Sequence, residues 1–312
     1  MSWSTAQIPD LSGRWAIVTG AGSGLGHHMT LELARAGAAV VMAGRSTDRL
    51  DASAALVRQE VPAAELRSVA LDLADLAAVR RTADMLRDTH EHLDLLLANA
   101  GVMATPQRRT TDGFELQIGT NHLGHFALTG LLLPVLLASP HGARVVVTSS
   151  FGHRSVSGID LRSLTPGADP RPYKKWRSYG ESKLANLLFM RELERRASAA
   201  DLALVSVAAH PGYAATELQT AGPQLGGPTM GSRLMTTVTN RLVAQSAEQG
   251  AWPLLMAATQ PGLPSGSYVG PGGPGELRGR PRLVGMTAAA SDPTLARLLW
   301  EASEAATGVS WP

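Results

Sequence analysis

The sequence predicts an α/β protein built on a single doubly wound sheet of seven parallel strands, with helices on both faces. Short apolar runs alternate with amphipathic segments of ten or more residues along most of the chain, which indicates strand–helix–strand crossover units. Neither an internal repeat nor a Pro/Gly/Ser-rich linker divides the 312 residues. Residues 1–312 are therefore predicted to form one domain, because this length suits a single large α/β unit.

The predicted elements keep this alternation from the first strand to the closing helix. Strands are predicted at residues 14–19, 39–43, 66–71, 93–98, 143–148, 202–208 and 267–269. Helices are predicted at residues 25–36, 47–60, 75–90, 113–137, 179–199, 246–259 and 293–305. Irregular segments at 151–172 and 213–245 are predicted substrate loops, because loops at the carboxyl ends of the strands bind ligands in this fold.

The composition excludes several classes of protein. Apolar residues make up 44% of the chain and charged residues 17%, which fits a globular core and not a disordered chain. A net charge of +2 without a dense Lys/Arg block argues against nucleic-acid binding. The absence of cysteine excludes disulfides and thiolate chemistry. Because no signal peptide is recognisable and the apolar stretch 126–138 is too short to span a bilayer, we expect a cytoplasmic protein without a membrane partner.

A glycine-rich turn joins the first predicted strand to the first predicted helix. From position 19 the chain reads Thr-Gly-Ala-Gly-Ser-Gly-Leu-Gly. Glycines let the backbone turn tightly and approach a phosphate, and the helix N-terminus offers it free N–H groups. This placement predicts dinucleotide binding. The residues expected to bind it are Gly20, Ser23, Gly24, Leu25 and Gly26.

The end of the second strand indicates which dinucleotide is bound. NAD-binding proteins usually carry an acidic residue there that holds the ribose 2′-hydroxyl, whereas this chain has Arg45 and Ser46. A guanidinium binds a 2′-phosphate through a bidentate fork, and Ser46 or Thr47 would add a hydroxyl donor. We therefore expect NADP(H) as the cofactor. A solvated surface arginine, and with it an NAD-linked alcohol dehydrogenase, is the alternative.

The pattern Tyr179-x-x-x-Lys183 predicts the catalytic chemistry. Residues at i and i+4 share one face of a helix, and an ammonium beside a phenol favours the phenolate. Such a phenol can protonate the alkoxide that hydride addition to a carbonyl leaves, or accept the proton of an alcohol in the reverse direction. Tyr173 and Arg177 have the same spacing, but Tyr173 precedes the predicted helix and arginine is a poor substitute for this lysine.

These motifs, in this order, resemble the classical short-chain dehydrogenase/reductase family across residues 11–269. Two segments are similar to those of its retinol-dehydrogenase-like branch, which includes bacterial members. They are Asn-His-Leu-Gly-His-Phe from position 121 and Ser-Lys-Leu-Ala-Asn from position 182. The resemblance implies a Rossmann fold. It also implies the catalytic group Asn121, Ser150, Tyr179 and Lys183.

In that resemblance, Ser150 would hold the substrate oxygen, with Ser149 as the alternative. The backbone carbonyl of Asn121 would bind a water that relays protons to the lysine, although a helical asparagine is often only a local hydrogen-bonding residue. His122 and His125 are expected to pack in the helix and not to bind metal. The further cofactor contacts that the resemblance implies, beside Tyr179 and Lys183, are Asp72, Leu73, Asn99, Ala100, Gly101, Pro211, Gly212 and Thr216.

The sequence thus predicts an NADP(H)-dependent oxidoreductase that transfers a hydride between nicotinamide and a small-molecule carbonyl or alcohol. Apolar residues in the loops suggest a pocket for a lipophilic substrate. The equal alternative is that these residues are ordinary members of the core or of a flap. These residues are Met103, Phe151, Leu218, Met230 and Met235. A non-catalytic NADP(H)-sensing or interaction protein is the alternative function. A homo-oligomer is compatible with the family pattern.

Overall fold

A computed structural model describes residues 3–169, 171–213 and 245–311. Within them, eight strands form one sheet in the order β3-β2-β1-β4-β5-β6-β7-β8. The strands are β1 (Trp15–Thr19), β2 (Ala39–Gly44), β3 (Leu66–Ala70), β4 (Leu95–Ala98), β5 (Ala143–Thr148), β6 (Leu204–Ala209), β7 (Tyr268–Pro271) and β8 (Pro281–Leu283). The predicted doubly wound, mostly parallel sheet is therefore confirmed.

Helices cover both faces of this sheet. The α-helices in the described part of the chain are α1 (Gly24–Arg35), α2 (Thr47–Glu60), α3 (Leu76–Thr89), α4 (Leu116–Ile118), α5 (Gly124–Leu137), α6 (Lys175–Ala199), α7 (Ala247–Thr259) and α8 (Pro293–Thr307). Side chains alternate along the strands, so that Ile17 belongs to one core cluster and Val18 to the other. The two faces of one sheet thus organise two apolar layers.

The prediction of seven parallel strands is wrong by one strand. β8 pairs antiparallel with β7, with Val269 opposite Leu283. It is three residues long, begins with Pro281 and ends the Gly/Pro-dense stretch after β7. Proline is tolerated at the start of an edge strand, and so short a segment has no detectable periodicity. Its pairing with β7, and not its own sequence, makes it a strand.

The long helix predicted at residues 113–137 is divided in the structure. A π-helical turn, Gly119–Leu123, separates α4 from α5. The span Leu116–Leu137 is apolar and long enough to cross a membrane by length and composition, and 78% of its 18-residue apolar window is buried inside the protein. α6 begins at Lys175, one turn before its predicted start. The predicted catalytic residues Asn121 and Tyr179 therefore both lie within helical structure.

The strand order reverses direction beside β1. From β1 the chain builds outward to β2 and β3 on one side, and from β4 onward on the other. A doubly wound sheet opens a crevice at this point, outside the carboxyl ends of its strands. The glycine turn after β1 and the loops after β4, β5 and β6 meet at this edge, which positions the candidate site.

Candidate active site

The glycine turn is closed tightly by backbone contacts. Gly20 and Gly24 have φ angles of 73° and 53°, which glycine adopts without the penalty that a side chain brings. A Cβ on Gly26 would lie 2.1 Å from the carbonyl oxygen of Gly20, so no side chain fits there. α1 begins at Gly24 and directs its free N–H groups into the turn. This geometry suits a pyrophosphate.

One cavity extends from this turn to the Tyr–Lys pair. Most of the predicted cofactor residues line it: Gly20, Ser23, Gly24, Leu25, Gly26, Arg45, Ser46, Asp72, Leu73, Asn99, Ala100, Gly101, Tyr179, Lys183 and Pro211. Gly212 follows Pro211 directly and has a φ of 65°. Thr216 lies outside the described residues. The structure therefore brings residues from six separate loops and helices to one continuous surface.

The end of the cavity beside β2 is cationic. Arg45 is exposed and has no hydrogen-bond or ion-pair partner within residues 3–169, 171–213 and 245–311. Ser46 caps α2 by accepting a hydrogen bond of 3.4 Å from the backbone N–H of Arg49, and its own hydroxyl proton remains to be donated. Arg49 also lines the cavity. The sequence analysis missed Arg49, although its position in the first turn of α2, directly after Arg45 and Ser46, was a usable signal.

The Asn-Ala-Gly segment is fixed to the glycine turn. The backbone N–H groups of Asn99 and Ala100 each donate to Oγ1 of Thr19 at 2.9 Å, and the Asn99 side chain donates to the Thr19 carbonyl at 2.8 Å. Asp72 accepts a hydrogen bond of 2.9 Å from the N–H of Ala74, while Asp75 is the residue that caps α3. The floor of the cavity is thus held by side-chain to backbone bonds.

Tyr179 and Lys183 are both buried at the other end of the cavity. The exposed fractions are 7% for Tyr179 and 3% for Lys183. Lys183 Nζ lies 5.8 Å from the centre of the Tyr179 ring and donates to the carbonyl of Thr148 at 3.1 Å. Burial lowers the pKa of Lys183 to about 8, because a low-dielectric environment disfavours the ammonium.

The pKa of Tyr179 departs from the sequence-based expectation. Burial raises this pKa, and the hydrogen bond with the Ser150 side chain acts in the opposite direction. We predicted that the ammonium would lower it. In the structure, desolvation of the phenolate is the larger effect, and the Lys183 ammonium donates to the Thr148 carbonyl. The phenol therefore stays protonated at neutral pH.

The two serines after β5 have different surroundings. The Ser149 hydroxyl is buried and donates to the backbone carbonyl of Lys183 at 2.9 Å, which joins the strand end to α6. The Ser150 hydroxyl accepts from the N–H of Gly152 at 3.1 Å and acts to lower the pKa of the Tyr179 phenol. Ser149 lines the cavity, but its hydroxyl proton is already donated to the Lys183 carbonyl.

Asn121 lies in the π-helical turn, a feature frequent at functional sites. Its side chain exchanges two hydrogen bonds with the backbone of Val102, at 2.7 and 2.9 Å, and donates to Ser182 Oγ at 2.9 Å. Its carbonyl accepts from Nδ1 of His125 at 3.1 Å. A carbonyl oxygen has two lone pairs and can accept a second hydrogen bond beside the one from His125.

The two histidines of this helix are packed inside the protein. His125 Nε2 lies 2.9 Å from Thr19 Oγ1, and burial lowers the pKa of His125 to about 4. His122 Nε2 lies 2.8 Å from Ser303 Oγ, and burial lowers its pKa to about 3. Both rings are therefore neutral. Among the described residues, no group of three or more His, Cys, Asp or Glu side chains could hold a metal ion.

Comparisons with known proteins agree with this arrangement. A family model for short chain dehydrogenases matches residues 14–160. The chain is 36% identical to retinol dehydrogenase 14 of Mus musculus, across 96% of this chain and 87% of that protein. It is 40% identical to polyprenol dehydrogenase of Mus musculus, across 82% and 74%. The chain is also similar to a protein from Mycobacterium paratuberculosis whose crystal structure is known. The two structures align over 100% of each chain, with a TM-score of 0.80 and 41% sequence identity.

The fold, the glycine turn and these relatives define an oxidoreductase with a nicotinamide cofactor, and the chain belongs to the short-chain dehydrogenase/reductase family. Within that family it is retinol-dehydrogenase-like, which confirms the branch that the sequence motifs indicated.

Proposed function

We propose that this protein is an NADP(H)-dependent oxidoreductase that interconverts a lipophilic carbonyl compound and its alcohol. One observation carries the proposal. A single cavity joins a phosphate-binding glycine turn and the exposed Arg45 at one end to the buried Tyr179 and Lys183 at the other. No acidic residue takes the position after β2 that an NAD-binding protein uses for the ribose hydroxyls.

The cavity fits the cofactor on physical grounds. Gly26 lets α1 pack closely on the turn, so that the N–H groups at the start of this helix would face a pyrophosphate. Arg45, Ser46 and Arg49 would hold the 2′-phosphate, and Pro211 and Gly212 would lie by the nicotinamide. When bound, the cofactor supplies or accepts the hydride.

Tyr179 acts as the acid in the direction of carbonyl reduction. Its phenol is protonated at neutral pH because burial raises its pKa, so it has a proton to donate to the substrate oxygen. The Ser150 hydroxyl, which acts to lower the pKa of this phenol, would hold the same oxygen. In alcohol oxidation the two side chains would hold the hydroxyl while Tyr179 accepts its proton.

Lys183 provides a cation beside the phenol. With a pKa of about 8, the Lys183 amine is mostly protonated at pH 7. It loses its proton, and with it the positive charge, as the pH rises through 8. The backbone carbonyl of Asn121 would hold the water that exchanges protons with Lys183. Together these groups form the Ser-Tyr-Lys-Asn arrangement.

Exposed aromatic rings beside Ser150 and Tyr179 support a lipophilic substrate. Phe151 is 40% exposed and Trp176 54% exposed, and the Trp176 ring stands edge-on to that of Tyr179 with centres 6.3 Å apart. The sequence reading named Phe151 but missed Trp176, which lies in the first turn of α6. Of the other predicted pocket residues, Leu218, Met230 and Met235 lie outside the described residues.

The names of the relatives point in the same direction. Retinol and polyprenols are lipophilic alcohols, and proteins that act on them are similar to this chain over most of its length. We include the segments 151–172 and 213–245 in the proposal as substrate loops of a single domain. A cytoplasmic location without a membrane partner is also part of it, and cell fractionation tests that part.

The test begins by measuring the binding of NADPH and of NADH to the purified protein through the change in nicotinamide fluorescence. A panel of lipophilic aldehydes and ketones is then added, and loss of reduced cofactor is recorded at 340 nm. We expect preferential NADPH binding and turnover of at least one carbonyl compound. Binding without turnover of any compound, identical in the wild type and in Tyr179→Phe, would support the non-catalytic sensing alternative.

A further inference from the structure

A cluster of charged and polar side chains near the Ser150 turn has no part in the mechanism above, and within it His210 is buried while Arg154 and Glu276 are partly open to solvent. It consists of Arg154, His210 and Glu276, which belong to the loops after β5, β6 and β7. Glu276 Oε1 and Oε2 accept hydrogen bonds of 2.9 and 2.8 Å from Arg154 Nη2, and Oε2 lies 3.3 Å from His210 Nε2. The Glu276 carboxylate, on the loop after β7, therefore contacts both the loop after β5 and the loop after β6.

The backbone of Glu276 is strained. Its φ angle is 58°, in the left-handed region that is unfavourable for a residue with a side chain. Two hydrogen bonds close the surrounding loop, from the N–H groups of Gly272 and Gly273 to the carbonyls of Arg280 and Arg278, at 2.7 and 3.0 Å. Strain that the surroundings maintain is concentrated at functional sites, so this conformation indicates a role for the side chain it presents.

Arg154 connects Glu276 to the turn that carries Ser150. His153, its neighbour, donates from its backbone N–H and from Nδ1 to the Ser150 carbonyl, at 3.1 and 2.7 Å. A Cβ on Gly152 would lie 3.0 Å from the Tyr179 ring, so the turn also packs against the phenol. Movement of Arg154 would therefore be transmitted to the hydroxyl that holds the substrate oxygen.

His210 connects Glu276 to the segment proposed to lie by the nicotinamide. The Gly212 N–H donates to His210 Nδ1 at 3.2 Å. In the neutral ring the proton is therefore on Nε2, facing Glu276. Burial holds the pKa of His210 at about 4, so the ring is neutral at physiological pH. A Cβ on Gly212 would lie 2.4 Å from the Leu277 carbonyl, which leaves this segment no space to shift toward the Glu276 loop.

We propose that Glu276 is a positioning residue that aligns the Ser150 turn with the His210-Pro211-Gly212 segment, and thereby the substrate oxygen with the nicotinamide. This inference rests on the proposed function. Glu276 touches neither the proposed cofactor residues nor Tyr179 through its carboxylate, and it acts through Arg154 and His210.

The experiment compares Glu276→Gln and Glu276→Gly with the wild type. Glycine adopts a φ of 58° without strain, so Glu276→Gly removes the carboxylate without a backbone penalty. We expect both variants to lower kcat about tenfold, because small displacements of reacting groups cost rates of this order. Binding of adenosine 2′,5′-bisphosphate, which has no nicotinamide, should stay within about twofold, since the Glu276 carboxylate contacts Arg154 and His210 and not the Arg45 end of the cavity. Glu301→Gln, which removes an exposed carboxylate on α8, is the control.

A double mutant tests the route through Arg154. If Glu276 acts in part through this residue and in part through His210, the losses of Arg154→Gln and Glu276→Gln should combine less than additively in the double mutant. Wild-type kcat in Glu276→Gly, or fully additive losses in the double mutant, would overturn the inference while leaving the proposed function intact. A wild-type protein that binds no nicotinamide cofactor would instead overturn the proposed function and this inference with it.

Discussion

Replacing Arg45 by aspartate should reverse the preference of this protein between the two nicotinamide cofactors. NADPH and NADH differ only in the 2′-phosphate, so NADH is an internal control for every other contact. The exposed guanidinium of Arg45 lines the cavity beside Ser46 and Arg49. An aspartate there would repel the phosphate and accept a hydrogen bond from the ribose 2′-hydroxyl of NADH.

The expected magnitude follows from the exposure of the site. A hydrogen bond to a charged group contributes about 1.5–3 kcal/mol, and an exposed position favours the lower end. Loss of the guanidinium should therefore raise the Kd for NADPH about tenfold. The added carboxylate should contribute a similar factor by repulsion, so we expect the ratio of the two Kd values to change about a hundredfold.

The assay is a titration of nicotinamide fluorescence with each cofactor at fixed ionic strength. Arg297→Asp makes the same change of net charge on α8, where the side chain is half exposed and remote from the cavity lining. This control should leave the ratio unchanged. A ratio in Arg45→Asp within twofold of the wild-type ratio would refute the role of Arg45 and the reasoning that selects NADP(H).

Three further predictions concern the phenol, the lysine and the glycine turn. Tyr179→Phe should lower kcat at least a hundredfold, because it removes the acid, and fluorescence titration should show NADPH binding within about twofold. Lys183→Met should abolish turnover yet raise the melting temperature at pH 7. The pKa of Lys183 in the folded protein, about 8, lies below its value in the unfolded chain. The buried ammonium therefore opposes folding below pH 8, and its removal should stabilise the protein there. The Thr148 carbonyl would keep its bond from Asn186, and a lower melting temperature would contradict this account. Gly26→Ala should abolish NADPH binding or folding, because the added Cβ would lie 2.1 Å from a carbonyl oxygen. The control Gly158→Ala should change neither, because a Cβ there would have no atom within 4 Å. Normal NADPH binding by Gly26→Ala would contradict the close packing of the turn.

The pH dependence of carbonyl reduction follows from the same lysine. Lys183 loses its proton as the pH rises through about 8, and Tyr179, whose pKa burial raises, stays protonated there. We therefore expect kcat for reduction to fall above pH 8 with Lys183 as the titrating group. Stopped-flow measurement of hydride transfer from pH 6 to 10 checks this, and a rate that stays constant to pH 10 would contradict it.

Some catalytic assignments needed long-range contacts that no local pattern contains. The sequence alone left Ser149 and Ser150 as alternatives. In the structure the Ser149 hydroxyl reaches the carbonyl of Lys183, 34 positions along the chain, and this contact supports the proposal that Ser150 holds the substrate oxygen. The structure also reverses the expected direction of the Tyr179 pKa, since burial depends on every element packed around α6 and not on the i, i+4 spacing.

Local order in the sequence determined the alternation of strands and helices, the glycine turn after β1 and the Tyr179–Lys183 spacing. Periodicity, glycine backbone freedom and helical geometry act over a few residues, so they can be recognised in the chain itself. The tertiary structure alone decided the eighth strand, the π-helical turn at Asn121 and the contact of Glu276 with two other loops. Each of these depends on which distant segments the folded sheet brings together, because pairing and burial are properties of neighbours in space.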